Sequence, residues 1–154
     1  MTDTRLGEFF MKLIVISHKE TWASPTSPSG FATIGGFPHQ MEAISQLFDR
    51  TTVMAALRST PMPPGAHPLT GHNLLIRPLP EPAGSNLRRK IALLAWLPRH
   101  LPEIWREVRR ADAVHAPVPG DIGTIGLLVA LAQRKPLFVR HCGTWGEPVT
   151  LADR

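Results

Sequence analysis

Near the start of the chain, Lys12-Leu13-Ile14-Val15-Ile16-Ser17 is an apolar, β-branched run with no turn residue, the pattern of a buried strand. From residue 38 the period changes. Met41, Ile44, Leu47 and Phe48 recur at helical spacing, and Pro38 suits a first helical position because its missing N–H has no partner there anyway. The pattern predicts a helix over 38–49, then strands over 51–57 and 73–79. Pro78 cannot donate to a ladder, which puts the strand over 73–79 at or near a sheet edge. Asn86 is placed to cap a helix over 87–97, which Pro98 ends or kinks, and a further helix covers 101–110. Strands over 112–116 and 136–140 flank a helix over 122–133. The order β-α-β-β-α-β-α-β predicts an α/β fold, a Rossmann-like three-layer sandwich with a mostly parallel sheet of about five strands.

The long Ser-, Thr-, Pro- and Gly-rich loop over 18–37 ends in Gly35-Gly36, directly before the first helix. A loop of that length is either functional or disordered. Two adjacent glycines let a ligand approach the backbone, and the helix behind them offers free N–H groups and a positive dipole end. This is a site for a phosphate or another anion. In a parallel sheet, ligands bind at the carboxyl ends of the strands, near the switch in strand order. His18 and Lys19 follow the first strand and can meet a phosphate, or stand as solvated loop residues. His115 ends the fourth strand and is either a cleft or a core histidine. Asp121 can bind an acceptor hydroxyl or cap the next helix. His141 and Trp145 follow the fifth strand, where they can bind sugar hydroxyls and stack on a ring, or cover the core.

The length of 154 residues suits one domain, taken as 11–154 after a loose extension over 1–10. The net charge is +5, and the basic residues cluster at Arg88-Arg89-Lys90, Arg99, Arg106 and Arg109-Arg110. They read as a solvated helix face or as an attraction to an anionic membrane or a phosphorylated ligand. Nucleic acid is disfavoured, because no aromatic–basic stacking motif is present. Cys142 is the sole cysteine, so no disulfide framework forms, and a cytoplasmic setting is expected. The N-terminus lacks a secretory pattern, and the apolar run over 91–97 is too short to span a bilayer. The histidines lack metal-ligand spacing, the serines lack a nucleophile elbow, and the NAD fingerprint and Walker motif are absent. Neither a metal nor another cofactor is expected.

Three segments together resemble the N-terminal domain of GT-B glycosyltransferases of family 4. The first is the strand, long loop and Gly35-Gly36 with its helix. The second is Ala111-Asp112-Ala113-Val114-His115-Ala116-Pro117, and the third is Arg134-Lys135-Pro136-Leu137-Phe138-Val139-Arg140-His141-Cys142-Gly143. Pro117 stands where that family often has a second histidine. The resemblance implies the N-terminal half of a GT-B fold, incomplete at its C-terminus and lacking the partner Rossmann domain. It implies sugar transfer from a nucleotide-sugar to a glycan or lipid-linked acceptor, by a chain inactive alone. Gly35, Gly36, His18, Lys19, His115, Asp121, His141 and Trp145 would then line the donor-phosphate and acceptor site. Residues 87–110, with Trp96 and Trp105, would touch a membrane peripherally. The competing reading is a non-catalytic, flavodoxin-like domain that binds a small anion or a partner.

Overall fold

The computed structural model describes residues 10–84 and 86–141. Its elements run β1 (Lys12–Ala23), β2 (Phe31–Thr33), α1 (Phe37–Ser45), β3 (Arg50–Leu57), β4 (His67–Pro68), β5 (Leu74–Pro80), α2 (Asn86–Arg110), β6 (Ala113–Val118), α3 (Asp121–Ala132) and β7 (Leu137–His141). The strands form one open, mixed, seven-stranded sheet. β1 pairs in parallel with β3 and β6, β3 with β5, and β6 with β7. β1 also pairs antiparallel with β2, and β2 with β4.

The mostly parallel sheet of about five strands is thereby corrected to a mixed sheet. The cause is the segment that reads as a long loop. β1 does not stop at Ser17 but continues, after a register shift between Ser17 and Glu20, through Ala23. Its continuation pairs Thr21 with Thr33 and Ala23 with Phe31. Thr21 Oγ1 donates to Ala56 O at 2.9 Å and Thr33 Oγ1 to Glu20 O at 2.6 Å, so polar side chains tie down a stretch that has no apolar alternation to betray it.

Alternation along the central strands builds a core on each face of the sheet. Leu13, Val15, Val53 and Ala55 meet Phe37 and Met41 of α1 on one side. Ile14, Ile16 and Met54 meet Trp96, Ile104 and Val108 of α2 and Ile122, Ile125 and Val129 of α3 on the other. α3 lies close to the sheet because Gly126 faces Ile16. A Cβ there would sit 2.6 Å from the Ile16 Cβ.

α2 is a single helix of 25 residues that runs through Pro98 and Pro102, not two helices broken at Pro98. Trp96 anchors it by burying its ring and donating Nε1–H to Pro80 O at 2.7 Å. Ile104 and Val108 pack beyond the prolines, and tertiary packing of this kind outweighs the cost of a proline inside a helix. β5 with Pro78 closes one end of the sheet order, as a proline in a strand requires.

Candidate anion-binding site

The register break in β1 after Ser17 lies beside the carboxyl end of β6, with the start of α1 facing them. A crevice of about 320 Å³ opens there, lined by Ser17, His18, Lys19, Gly36, Phe37, Gln40, Pro117, Pro119 and Arg140. Its lining contains no carboxylate. Gly35 has φ +74°, the left-handed conformation that glycine adopts without strain, and it turns the chain into α1. Lys19 Nζ lies 3.8 Å from where a Cβ on Gly35 would sit, so the ammonium group stands over the diglycine.

Gly36 is the N-cap of α1, and no side chain caps the helix. Gln40 N–H returns to Gly36 O at 3.1 Å, while Pro38 has no N–H. Among the described residues, the N–H groups of Phe37 and His39 therefore have no acceptor, as expected of an uncapped first turn. A positive dipole end, two free donors and the Lys19 ammonium group share the crevice, with the Arg140 guanidinium in its lining. Lys19 has no carboxylate partner among the described residues.

Gln40 is held from below. Its Nε2 donates to His115 Nε2 at 3.4 Å, and His115 Nδ1–H donates to Phe138 O at 3.2 Å. The His115 ring stacks on Phe138 at 4.3 Å and is fully buried. Burial pushes its pKa below the ordinary histidine value, with the Phe138 carbonyl opposing the shift and Arg140 adding to it. A neutral imidazole, donor at Nδ1 and acceptor at Nε2, fits both partners. His115 is thus beneath the crevice and shapes it through Gln40.

A charged network borders the crevice on its other side. Arg89 Nε donates to Asp121 Oδ2 at 2.5 Å and Nη1 to Glu81 Oε1 at 3.2 Å. Arg58 pairs with Glu81 at 2.6 Å and with Glu20. His18 Nε2 lies 3.3 Å from Arg89 Nη2 and accepts from it. Burial first, and then the Arg89 charge, lower the His18 pKa, while Glu81, Asp121 and Glu20 pull it up. The lowered pKa and the N–H that Arg89 donates to Nε2 both favour the neutral ring, and His18 Nδ1 is buried without a hydrogen-bond partner among the described residues. The two arginines face three carboxylates, so this network is self-compensating and adds no net positive charge.

The structure thus gathers Lys19, Gly36 and His18 around one crevice, with Gly35 turning the chain behind it and His115 beneath. Asp121 is the first residue of α3 rather than its cap, which is Gly120, and its carboxylate belongs to Arg89. His141 ends β7 as an exposed residue. Trp145 and residues 1–9 and 142–154 lie outside the described residues. Sequence reasoning missed Gln40 and Arg140 in the lining, and missed Arg58 and Glu81 in the network. The signal for Gln40 was available, since it occupies the first turn after the diglycine.

Two further features bear on the expectations above. Among the described residues no cluster of metal-binding side chains is found, and no helix is long and apolar enough to cross a membrane. α2 exposes Leu87, Ile91, Leu94 and Trp105, while Trp96 is buried.

No family model matches the chain, and no curated protein matches it. Among solved structures, the C-terminal domain of the PF1911 hydrogenase from Pyrococcus furiosus is similar at 12% identity. The match covers 85% of this chain and 92% of that chain, with a TM-score of 0.45. These comparisons return no glycosyltransferase. The resemblance to family 4 glycosyltransferases is therefore withdrawn, and the transferase vocabulary with it. Its weakness is also physical. The loop that would have bordered a donor sugar is strand in part, over 18–23 and Phe31–Thr33, and the histidine that would have pointed into the cleft is in the core.

Proposed function

We propose that the chain is a non-catalytic domain that binds a small anion, of phosphate or carboxylate type, in the crevice between Lys19 and the first turn of α1. The observation that carries this reading is the meeting of an unpaired ammonium group with the uncapped N-terminus of α1 in a crevice whose lining holds no carboxylate. The parallel pairings support a doubly wound, Rossmann-like reading of the sheet. They run in the order β5–β3–β1–β6–β7, and the chain changes its direction of build between β1 and β6. Ligands of such sheets bind at that switch, outside the carboxyl ends of the strands. A flavodoxin-like order would place the switch elsewhere, between β1 and the third parallel strand.

The lining favours binding over turnover. It offers donors and positive charge, and both ring nitrogens of His115 are already occupied. Calorimetric titration with inorganic phosphate at low ionic strength tests the reading. Saturable binding that weakens about ten-fold in Lys19→Gln, a loss of ~1.4 kcal/mol, is expected. Equal affinity in the wild type and Lys19→Gln, or no binding, would sink it.

A further inference from the structure

A second cationic pocket lies at the opposite edge of the sheet, and it is independent of the crevice described above. On the α2 face, side chains at alternate positions point the same way. Lys12 aligns with Arg50, and Ile14 with Thr52. Arg77 follows on β5 beside Met54. The last turn of α2 brings Glu107 and Arg110 over these residues. Together they enclose a space of about 410 Å³.

Four cationic side chains, Lys12, Arg50, Arg77 and Arg110, line this space against one carboxylate, that of Glu107. Glu107 is buried and already divided among three guanidinium groups. Arg110 lies at 3.2 Å, Arg106 at 3.5 Å and Arg77 at 3.6 Å. The other carboxylates at this edge are committed to backbone. Asp112 accepts from Lys12 N–H at 2.8 Å, and Asp49 from Met11 N–H at 2.6 Å. Arg50 has no acidic partner among the described residues, and Lys12 Nζ stands over the Phe10 ring at 5.4 Å. Arg77 Nε is buried and makes no hydrogen bond, Glu107 Oε2 standing off at 3.6 Å, and Thr52 lies on the floor of the same space. A buried guanidinium N–H without an acceptor asks for a ligand atom or water.

We infer that this pocket binds a compact multivalent oxyanion, such as a di- or triphosphate group, held by Arg50, Arg77, Arg110 and Lys12 with the Thr52 hydroxyl beneath it. Guanidinium groups suit this ligand because their planar forks match phosphate oxygens in pairs. Three more cations than carboxylates line this pocket, whereas the other crevice has Lys19 and Arg140 beside a helix end and suits a single small anion. Charge excess of this kind is attractive to a multivalent anion and weakens with salt.

The test is an amide NMR titration with inorganic tripolyphosphate at low ionic strength, on the wild type and on the double variant Lys12→Gln/Arg50→Gln. Neither position belongs to the Glu107 ion cluster, and matching thermal melts establish that the variant is folded. The expected result is saturable shifts at Leu13, Ile14 and Thr52 in the wild type, with affinity lowered about ten-fold or more in the double variant. Shifts at Gly36 and Phe37 are to be unaffected by the double substitution. A parallel titration with a nucleoside triphosphate identifies the source of the group. Equal affinity assigns the site to the phosphates alone, and tighter binding adds a contact to the nucleoside. Absence of shifts at Leu13, Ile14 and Thr52, or shifts there that the double variant retains unchanged, would overturn the inference. Binding at the amino edge with none at Gly36 would leave this site standing and refute the carboxyl-edge reading.

Discussion

The Gln40 side chain, at the rim of the carboxyl-edge crevice, rests on His115, whose ring nitrogen accepts its amide at 3.4 Å. The pair joins the first turn of α1 to the buried centre of β6. It works only with a neutral imidazole, because a second ring N–H would meet the donating amide. His115→Phe keeps the ring volume but leaves Gln40 without its acceptor and Phe138 O without its donor. A loss of about 2 kcal/mol is expected from urea unfolding near neutral pH.

The same histidine makes stability depend on pH. The His115 pKa in the folded chain is lowered from the ordinary value of 6.5, chiefly by burial, and that of His18 is lowered by burial and Arg89. Below 6.5 the unfolded chain therefore binds more protons than the folded one. The contribution of each group is fully present above pH 6.5 and is lost as pH falls through its lowered value. Unfolding midpoints in urea should fall from neutral towards mildly acidic pH, and the slope should be shallower in His115→Phe. An unchanged slope would remove His115 from this account.

Arg89 serves two carboxylates and His18 at once. In Arg89→Met, Asp121 and Glu81 lose a partly exposed partner, so the cost should be small, about 1 kcal/mol after solvent screening. The effect on His18 is the sharper observable. Arg89 lowers the His18 pKa, while Glu81, Asp121 and Glu20 raise it. Removing the guanidinium must move the His18 titration upward, as followed by its ring proton shifts. A downward or absent movement would contradict the network as drawn.

Packing of α3 on β1 sets up a competition of known sign. Gly126→Ala raises helix propensity by roughly 1 kcal/mol. The new methyl group would also sit 2.6 Å from Ile16 Cβ and 2.7 Å from Ile16 Cγ2, in the middle of the core. Overpacking there costs about 1–3 kcal/mol, so net destabilisation is expected. Gly123→Ala should be worse, because its methyl group would collide with the Pro117 carbonyl oxygen, and a backbone atom cannot swing away. Thermal melts of the two variants should rank wild type above Gly126→Ala above Gly123→Ala.

The parts of the fold legible in the sequence are those where apolar period is strong. Leu13 to Ile16 announced the central strand, and Met41 with Ile44 the face of α1. The continuation of β1 was hidden because it is held by Thr21 and Thr33 hydroxyls and by antiparallel pairing, neither of which leaves an apolar trace. α2 reads as two helices in the sequence because Pro98 weighs against continuation, whereas the packing of Trp96, Ile104 and Val108 carries one helix through it. The diglycine pointed correctly to a turn into α1, since Gly35 has the positive φ that turn needs. The network joins Glu20, Arg58 and the Glu81–Arg89 pair from three stretches distant in sequence, and no local pattern brings them together. Nor could the depth of His115 be read from its neighbours, because a strand end can face crevice or core with the same sequence.

In the proposed function, Gly35, Gly36 and the first turn of α1 hold the anion. Gly36 has an ordinary φ of −79° and open space around its Cβ position, so Gly36→Ala should fold normally. The most direct measurement is an amide NMR titration with inorganic phosphate on the wild type and Lys19→Gln. Saturable downfield shifts at Phe37 and His39 are expected, weakened about ten-fold when the ammonium group is removed. Phosphate-induced shifts that bypass Phe37 and His39, or that survive Lys19→Gln unchanged, would contradict it.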